Sequence, residues 1–312
     1  MTKRLYLVTG GAGFIGSHIC ERLLKDGQRV RVLDDFSSGK AANLESLGGD
    51  VETMRGDIRD PRTVAEAMRD VEIVFHEAAL GSVPRSVADP VTTHEVNLTG
   101  TLNVFLAARD AGVRRVVYAS SSSVYGDTEV LPKHEGMPTQ PLSPYALSKL
   151  AGEYYASVFK QVYGFEVVAL RYFNIFGPRQ DLQSQYAAVI PRFVTALLEG
   201  KQPVVYGDGL QSRDFTYVEN VVEANLRASE AEGIAGRAFN VACGGRYTLL
   251  DLLGKMKEIL RSDINPIHEP TRAGDVRDSQ ASITAAEQGF GYRVTVDFDE
   301  GLRRTVEWYR TQ

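Results

Sequence analysis

The chain has 312 residues, with 35 Lys or Arg against 40 Asp or Glu and a formal net charge of −5. Its 43% hydrophobic and 24% charged residues describe a globular protein, long enough for one large domain or for a domain with a smaller lobe. An acidic chain without a Lys/Arg block excludes nucleic acid as the main partner, and no apolar run reaches the roughly 18 residues that cross a bilayer.

The first strand is predicted at Arg4–Thr9. Lys3-Arg4 followed by Leu5–Val8 starts like a signal peptide, but the apolar stretch stops at Thr9-Gly10-Gly11, so a cytoplasmic location is expected. Gly10, Gly11, Gly13 and Gly16 then satisfy both GxGxxG and GxxGxxG between that strand and a helix predicted at Phe14–Lys25. Such a turn lets the backbone, with Phe14 and Ile15 at the helix start, approach a pyrophosphate at the positive end of the helix dipole. The alternative is a glycine-rich turn with no ligand. A second strand, Arg29–Leu33, decides between them, because Asp34 follows it 18 residues after Gly16. A carboxylate there accepts the ribose hydroxyls of NAD and repels a 2′-phosphate, and no Arg follows in Asp35-Phe36-Ser37-Ser38-Gly39. NAD is therefore the expected cofactor.

Further strands are predicted at Val51–Arg55, Ile73–His76, Val116–Ala119 and Val167–Leu170, with helical stretches at Val64–Met68, Val91–Ala111 and Pro144–Tyr163. Strands alternating with helices read as a doubly wound, Rossmann-type parallel sheet of an α/β protein. Past Tyr172 the rhythm breaks at Gly177-Pro178, Pro191 and Gly207-Asp208-Gly209, and a last helix is predicted near Glu300–Tyr309. The expected division is a cofactor domain over 1–173 and a smaller α/β substrate-binding lobe over 174–312, with room for parts of the lobe to return to the first domain. Cys20 and Cys243 make no disulfide framework, the five histidines form no HxxxH pair, and no metal is expected.

Tyr145 and Lys149 stand four apart at the start of the Pro144–Tyr163 helix, so both heads reach one face. By itself this is as often a surface pair. Its weight comes from the serine run Ser120–Ser123 at the end of the fifth predicted strand, where doubly wound sheets bind ligands.

With these motifs in order, the chain resembles the extended short-chain dehydrogenase/reductase superfamily, and within it the UDP-hexose 4-epimerases. The resemblance runs through TGGAGFIG (Thr9–Gly16), GDIRD (Gly56–Asp60), HEAA (His76–Ala79), VNLTGT (Val96–Thr101), SSSSVYGD (Ser120–Asp127), YALSK (Tyr145–Lys149), RYFNIFGP (Arg171–Pro178), YGDG (Tyr206–Gly209), SRDFTYV (Ser212–Val218) and RAGDVRDS (Arg272–Ser279). It implies Ser121, Tyr145 and Lys149 as catalytic triad, and Asp57, Ile58, Ala78, Ala79, Asn97 and Tyr172 along the cofactor. For a UDP-sugar substrate it implies Ser82, Ser122, Ser123, Asn174, Val189, Tyr206, Arg213, Arg272, Asp275 and Ser279. Guanidiniums such as Arg213 and Arg272 match a diphosphate, although either alone is more often a surface ion pair. Glu219 stands where the family usually has Asp; His76 is read as packing at a strand end, and Glu77 has no assigned role.

The implied chemistry makes Tyr145 the base. Bringing a phenol from about 10 to near 7 takes roughly 4 kcal/mol, of which one ammonium at ~6 Å supplies about 3 at an effective dielectric near 20. Oxidised NAD carries the further positive charge. Related dehydratases and decarboxylases place acids directly after the catalytic Ser/Thr, whereas this chain has Ser122-Ser123, which favours 4-epimerisation. Asp34 disfavours an NADPH-dependent reductase. A non-catalytic NAD sensor would have lost YxxxK, and a UDP-uronic acid epimerase would need a cation such as Arg85. Ser279, aligned with a pocket wall that bulky Tyr occupies in members restricted to non-acetylated sugars, implies room for UDP-GlcNAc and UDP-GalNAc beside UDP-Glc and UDP-Gal. As a residue it would also suit a helix N-cap. A homodimer is expected through the two long helical stretches, with Val104, Leu106, Leu150 and Val158 divided between that seam and the core.

Overall fold

The computed structural model describes residues 3–49, 51–181, 188–271 and 276–312. Seven strands form the central sheet: β1 Leu5–Thr9, β2 Arg29–Asp34, β3 Val51–Arg55, β4 Ile73–His76, β5 Arg115–Ser121, β6 Val167–Tyr172 and β7 Ala238–Val241. Their order is β7-β6-β5-β4-β1-β2-β3, and every pairing is parallel. The apolar runs in β1, β4 and β6 are buried throughout because helices cover both faces. At the β3 edge Glu52, Thr53 and Arg55 are exposed, as an edge strand permits.

Alternate residues of each strand feed two apolar layers. One packs Val8, Val32, Phe75, Val117 and Leu170 against helices Phe14–Lys25 and Val218–Glu230. The other packs Leu7, Leu33, Val74, Val116 and Ala169 against helices Pro61–Ala67, Thr101–Asp110 and Pro144–Tyr163. Each fully buried Leu or Val contributes on the order of 1.5–3 kcal/mol. From β1 the chain winds outward to β2 and β3, then crosses back to β4 on the other side of β1. That reversal opens a crevice at the carboxyl ends of β1 and β4, the switch point where such sheets bind ligands.

The doubly wound α/β fold expected from the sequence is what forms, and the second half of the chain shares in it. Helix Val218–Glu230 and β7 return to the sheet, and Val221, Ala224, Phe239 and Val241 join the first layer. What remains makes a lobe of three two-stranded sheets: Ile175–Phe176 with Thr216–Tyr217, Ser212–Arg213 with Tyr247–Thr248, and Val204–Tyr206 with Ile267–Glu269. Its core is aromatic, Phe176, Phe193, Phe215 and Phe298, backed by helices Leu249–Leu260 and Phe298–Arg310.

Two helices depart from the sequence reading. The long helix expected over Val91–Ala111 is three pieces, Pro90–His94, a π-helical turn Glu95–Gly100, and Thr101–Asp110. The Thr101 hydroxyl bonds back to the Asn97 carbonyl at 2.6 Å and meets His76 Nε2 at 2.9 Å, while Gly100 lies where a Cβ would be 2.6 Å from Ile58. The wider turn brings this segment onto the sheet end, a common use of π-turns. The short helix begins at Pro61 rather than Val64, because the Asp60 carboxylate accepts from the Arg62 N–H at 3.0 Å and caps it there.

Candidate active site

The glycine turn is dictated by crowding. Gly10 has φ +69°, and a Cβ on it would lie 2.7 Å from the Ala78 nitrogen; one on Gly16 would lie 2.3 Å from the Gly10 carbonyl oxygen. The β1 and β4 loops thus touch backbone to backbone at the switch point. No side chain caps helix Phe14–Lys25 at Gly13, so its first-turn N–H groups and positive dipole end face the crevice. Asp34 closes the turn from β2, one carboxylate oxygen accepting from the Ala12 N–H at 2.9 Å and the other from the Phe36 N–H at 2.8 Å. Burial pushes its carboxyl up, and these two N–H groups pull it back.

The resulting cavity holds about 580 Å³ and is lined by the glycine turn, Asp34, Ser37–Gly39, Asp57, Ile58, Ala78, Ala79, Ser82, Ser121, Ser122, Tyr145, Tyr172 and Asn174. A bare helix terminus for a diphosphate, a carboxylate for a ribose and the apolar Ile58 and Ala78 walls fit NAD. Phe36, Asn97 and Lys149 do not line the cavity. Phe36 takes φ +61° to bring its N–H to Asp34, with the Arg55 guanidinium 5.9 Å from its ring. Asn97 is buried, bonded to the Leu80 N–H (2.7 Å), the Leu80 carbonyl (3.2 Å) and Ser148 (3.3 Å), so it clamps the Ala78–Leu80 loop to the catalytic helix.

That helix, Pro144–Tyr163, starts from a Ser143 cap whose hydroxyl accepts from the Ala146 N–H at 3.1 Å, with Pro144 in its first turn. Tyr145 and Lys149 therefore stand on its first two turns, and the buried Lys149 ammonium lies 6.0 Å from the Tyr145 ring centre. Lys149 Nζ donates to the Ala119 carbonyl at 2.7 Å. Ser121, at the end of β5, stands beside Tyr145 and accepts from the Ser123 N–H (3.2 Å) and hydroxyl (2.9 Å). Burial pushes Tyr145 up, against what a base needs; Ser121 lowers it and Glu77 raises it further. Burial brings Lys149 down to about 8, with Glu77 opposing. Beneath them Arg171 and Glu153 form a buried bidentate pair at 2.9 and 2.6 Å, and Ser120 donates to the same carboxylate at 2.5 Å. This pair fixes the ends of β5 and β6 against the catalytic helix.

The HEAA segment resolves into two roles. His76 packs at the end of β4 between Phe105 and Tyr118, bonded to Thr9 at 2.7 Å and Thr101, and burial lowers it to about 3, so it is neutral. Glu77 is a feature the residue pattern alone did not show to belong to the site. It sits deep in the protein and opens onto the cavity, accepting from the Tyr172 hydroxyl at 2.8 Å. The absence of an acid directly after Ser121 therefore does not leave the catalytic neighbourhood free of carboxylates.

A second cavity of about 420 Å³ continues from the first, sharing Ser122, Asn174, Ile175 and Ala188 with it. Ser123, Val189, Tyr206, Arg213 and Ser279 line it as the resemblance implied, while Arg272 and Asp275 lie outside the described residues. Ser279 is buried and donates its N–H to the Ser212 carbonyl at 3.0 Å. The next helix begins at Thr284 after Ile283, so Ser279 is not its cap. Lys133 and Arg192 also line this cavity, and the sequence reading passed over both. Lys133 is buried, with Nζ on the Gly126 carbonyl at 3.2 Å, and Arg192 lies 5.0 Å from the Tyr206 ring. No local pattern marks either; only the fold brings them to the wall.

Among the described residues there is no cluster of three or more His, Cys, Asp or Glu able to hold a metal, and no helix long and apolar enough to cross a membrane.

The NAD dependent epimerase/dehydratase family matches residues 6–242. A UDP-glucose 4-epimerase of Mycolicibacterium smegmatis is 41% identical over 310 residues, covering 98% of each chain. A UDP-N-acetylglucosamine 4-epimerase from Methanobrevibacter ruminantium, solved in complex with UDP-N-acetylmuramic acid, superposes with a TM-score of 0.95 at 40% identity over 100% of both chains. A Thermus thermophilus UDP-glucose 4-epimerase in complex with NAD does so with 0.90 at 39% identity, covering 98% of this chain and 99% of that one.

Proposed function

The chain belongs to the NAD dependent epimerase/dehydratase family, and from that premise we propose that it inverts C4 of UDP-hexoses, interconverting UDP-GlcNAc with UDP-GalNAc and UDP-Glc with UDP-Gal. The observation that carries this reading is that Ser121 and Tyr145 line the first cavity beside Ser122, which the second cavity shares, with the buried Lys149 ammonium 6.0 Å from the Tyr145 ring, and with Ser122 and Ser123 where an eliminating enzyme would carry acids. The glycine turn, Asp34 and the wall of Ile58, Ala78 and Ala79 would hold NAD, which would supply the hydride acceptor and then the donor. Tyr145 takes the proton of the C4 hydroxyl and later returns it, with Ser121 holding that hydroxyl in line. Lys149, its ammonium 6.0 Å from the Tyr145 ring centre, supplies positive charge that favours the phenolate against the burial that raises Tyr145. The 4-keto sugar turns within the space that runs from Ser122 to Ser279, while Arg213 and Tyr206 keep the nucleotide.

Product analysis of the purified enzyme with UDP-Glc, UDP-GlcNAc and UDP-GlcA side by side, without added reductant, tests the reading. The 4-epimers of the first two are expected. A 4-keto-6-deoxy sugar or a pentose as main product would sink it, and a 4-epimer of UDP-GlcA alone would favour the uronic acid reading.

The working unit is a homodimer. On helix Pro144–Tyr163 the exposed Leu147, Tyr154, Val158 and Val162 form one stripe, with exposed Val87 and Val91 on the segments Val83–Ala88 and Pro90–His94 that pack against this helix, whereas Val104 and Leu150 are core. An apolar stripe of this length on a helix suits a second copy of itself. A light-scattering mass near the 34.3 kDa of one chain at micromolar concentration would rule it out.

A further inference from the structure

The chemistry above leaves Glu77 without a role, although it is held with more care than a packing residue needs. Its N–H donates to the Thr9 carbonyl at 3.1 Å, fixing it beside the glycine turn. Asn225, on helix Val218–Glu230, donates through Nδ2 to the Val221 carbonyl at 2.9 Å and to the Tyr172 oxygen at 2.8 Å. With its oxygen taken, the Tyr172 hydroxyl hydrogen goes to Glu77 Oε1 at 2.8 Å. Thr9, Tyr172 and Asn225, from three elements, thus aim a carboxylate into the cavity.

The groups that face it are few. Helix Pro144–Tyr163 presents Tyr145 and Lys149, β6 presents Tyr172, and helix Val218–Glu230 presents Asn225. From its own strand His76 is neutral. An anion in this position opposes a phenolate on Tyr145 and supports an ammonium on Lys149.

We propose that Glu77 is a positioning residue that sets the protons on the Tyr145–Lys149 pair: ionised, it keeps Lys149 charged and holds Tyr145 as a phenol in the resting site. The base is then released by added positive charge in the cavity rather than standing free. Burial raises Glu77 to about 7, while the Tyr172 hydroxyl and Lys149 pull it back, so its own charge changes near neutral pH. This rests on Tyr145 as the base, and the measurements below separate the two.

Glu77→Gln keeps an acceptor for Tyr172 and removes the charge. In the holoenzyme, losing the anion lowers the pKa of Tyr145 and of Lys149 alike. The alkaline limb of the kcat/KM–pH profile therefore moves acidward by about one pH unit, the acid limb moves less because Glu77 is already mostly protonated at pH 6, and the activity ratio between pH 6 and pH 9 rises about tenfold. Glu77→Asp restores the wild-type limbs at least in part. Tyr172→Phe, which strips the donor favouring the carboxylate, moves the limbs in the same direction by less and adds no shift to Glu77→Gln. Without turnover, the ultraviolet phenolate titration of Tyr145, read as the difference from Tyr145→Phe, has a lower midpoint in Glu77→Gln. Limbs and midpoint that coincide with wild type, with only a uniform fall in rate, would overturn the proposal. A Tyr145→Phe variant with near-normal turnover would instead overturn the base assignment, and the phenolate midpoint would still decide on Glu77.

Discussion

In the half of the cleft that receives the dinucleotide, residues 10–39 form one run in which each group is wired to the next. Gly10 abuts Ala78, Asp34 accepts from Ala12 and Phe36, and the Lys40 N–H donates to the Ala12 carbonyl at 3.0 Å. In the half proposed to receive the sugar nucleotide, Asn174, Val189, Tyr206, Arg213 and Ser279 come from five separate segments, on or beside short two-stranded sheets and the helix Val189–Leu198. The first half uses the same atoms for folding and for binding. The second assembles side chains on a lobe with its own aromatic core, so a wall residue can change while the framework stays.

The largest effect is therefore expected at Asp34. Asp34→Ala strands the Ala12 and Phe36 N–H groups, the first of them buried, at a cost on the order of 1–3 kcal/mol for each N–H left unsatisfied. It also removes the ribose acceptor, so NAD retained through gel filtration falls about 100-fold or more, while the melting temperature of the cofactor-free protein drops by several degrees. A variant that loses NAD with its melting temperature unchanged would show that binding and folding are separable here too, and would break the comparison.

What could be read in advance follows the same division. The glycine turn, Asp34 and the YxxxK helix were legible because their function is a matter of local backbone: a strand end, a helix start, a spacing of four. The strands were read too short for a related reason. The apolar runs end at Leu33, Ala119 and Leu170, yet β2, β5 and β6 continue through Asp34, Ser120-Ser121 and Arg171-Tyr172. Those polar residues keep their ladder bonds because the site lies at the strand ends. Lys133 was invisible because its burial depends on the Gln280–Ser282 segment, about 150 residues away, closing over it. Glu77 has no local signal, since its partner Tyr172 comes from β6 and is itself oriented by Asn225 only when helix Val218–Glu230 returns to the sheet. Local order betrays local chemistry; a residue whose partners are distant needs the fold.

The smallest and most selective effect is expected at Ser279. The start of the next helix at Thr284 removes the capping explanation, and the residue stands in the wall with Ser123, Lys133 and Arg213. Its backbone N–H, not its hydroxyl, ties it to Ser212, so a new side chain leaves that bond in place. Ser279→Tyr would bring a ring into the cavity of about 420 Å³. A close-packed wall cannot shift cheaply to admit both a ring and a 2-acetamido group, whereas a sugar with a plain 2-hydroxyl leaves room for the ring. The variant is expected to lose roughly 10–200-fold in kcat/KM on UDP-GlcNAc while staying within about threefold of wild type on UDP-Glc. Retained NAD and melting temperature should not move, in contrast to Asp34→Ala. Equal losses on both sugars would show that the ring disturbs the common hexose site, and a lower NAD content would show that the two halves are wired together after all.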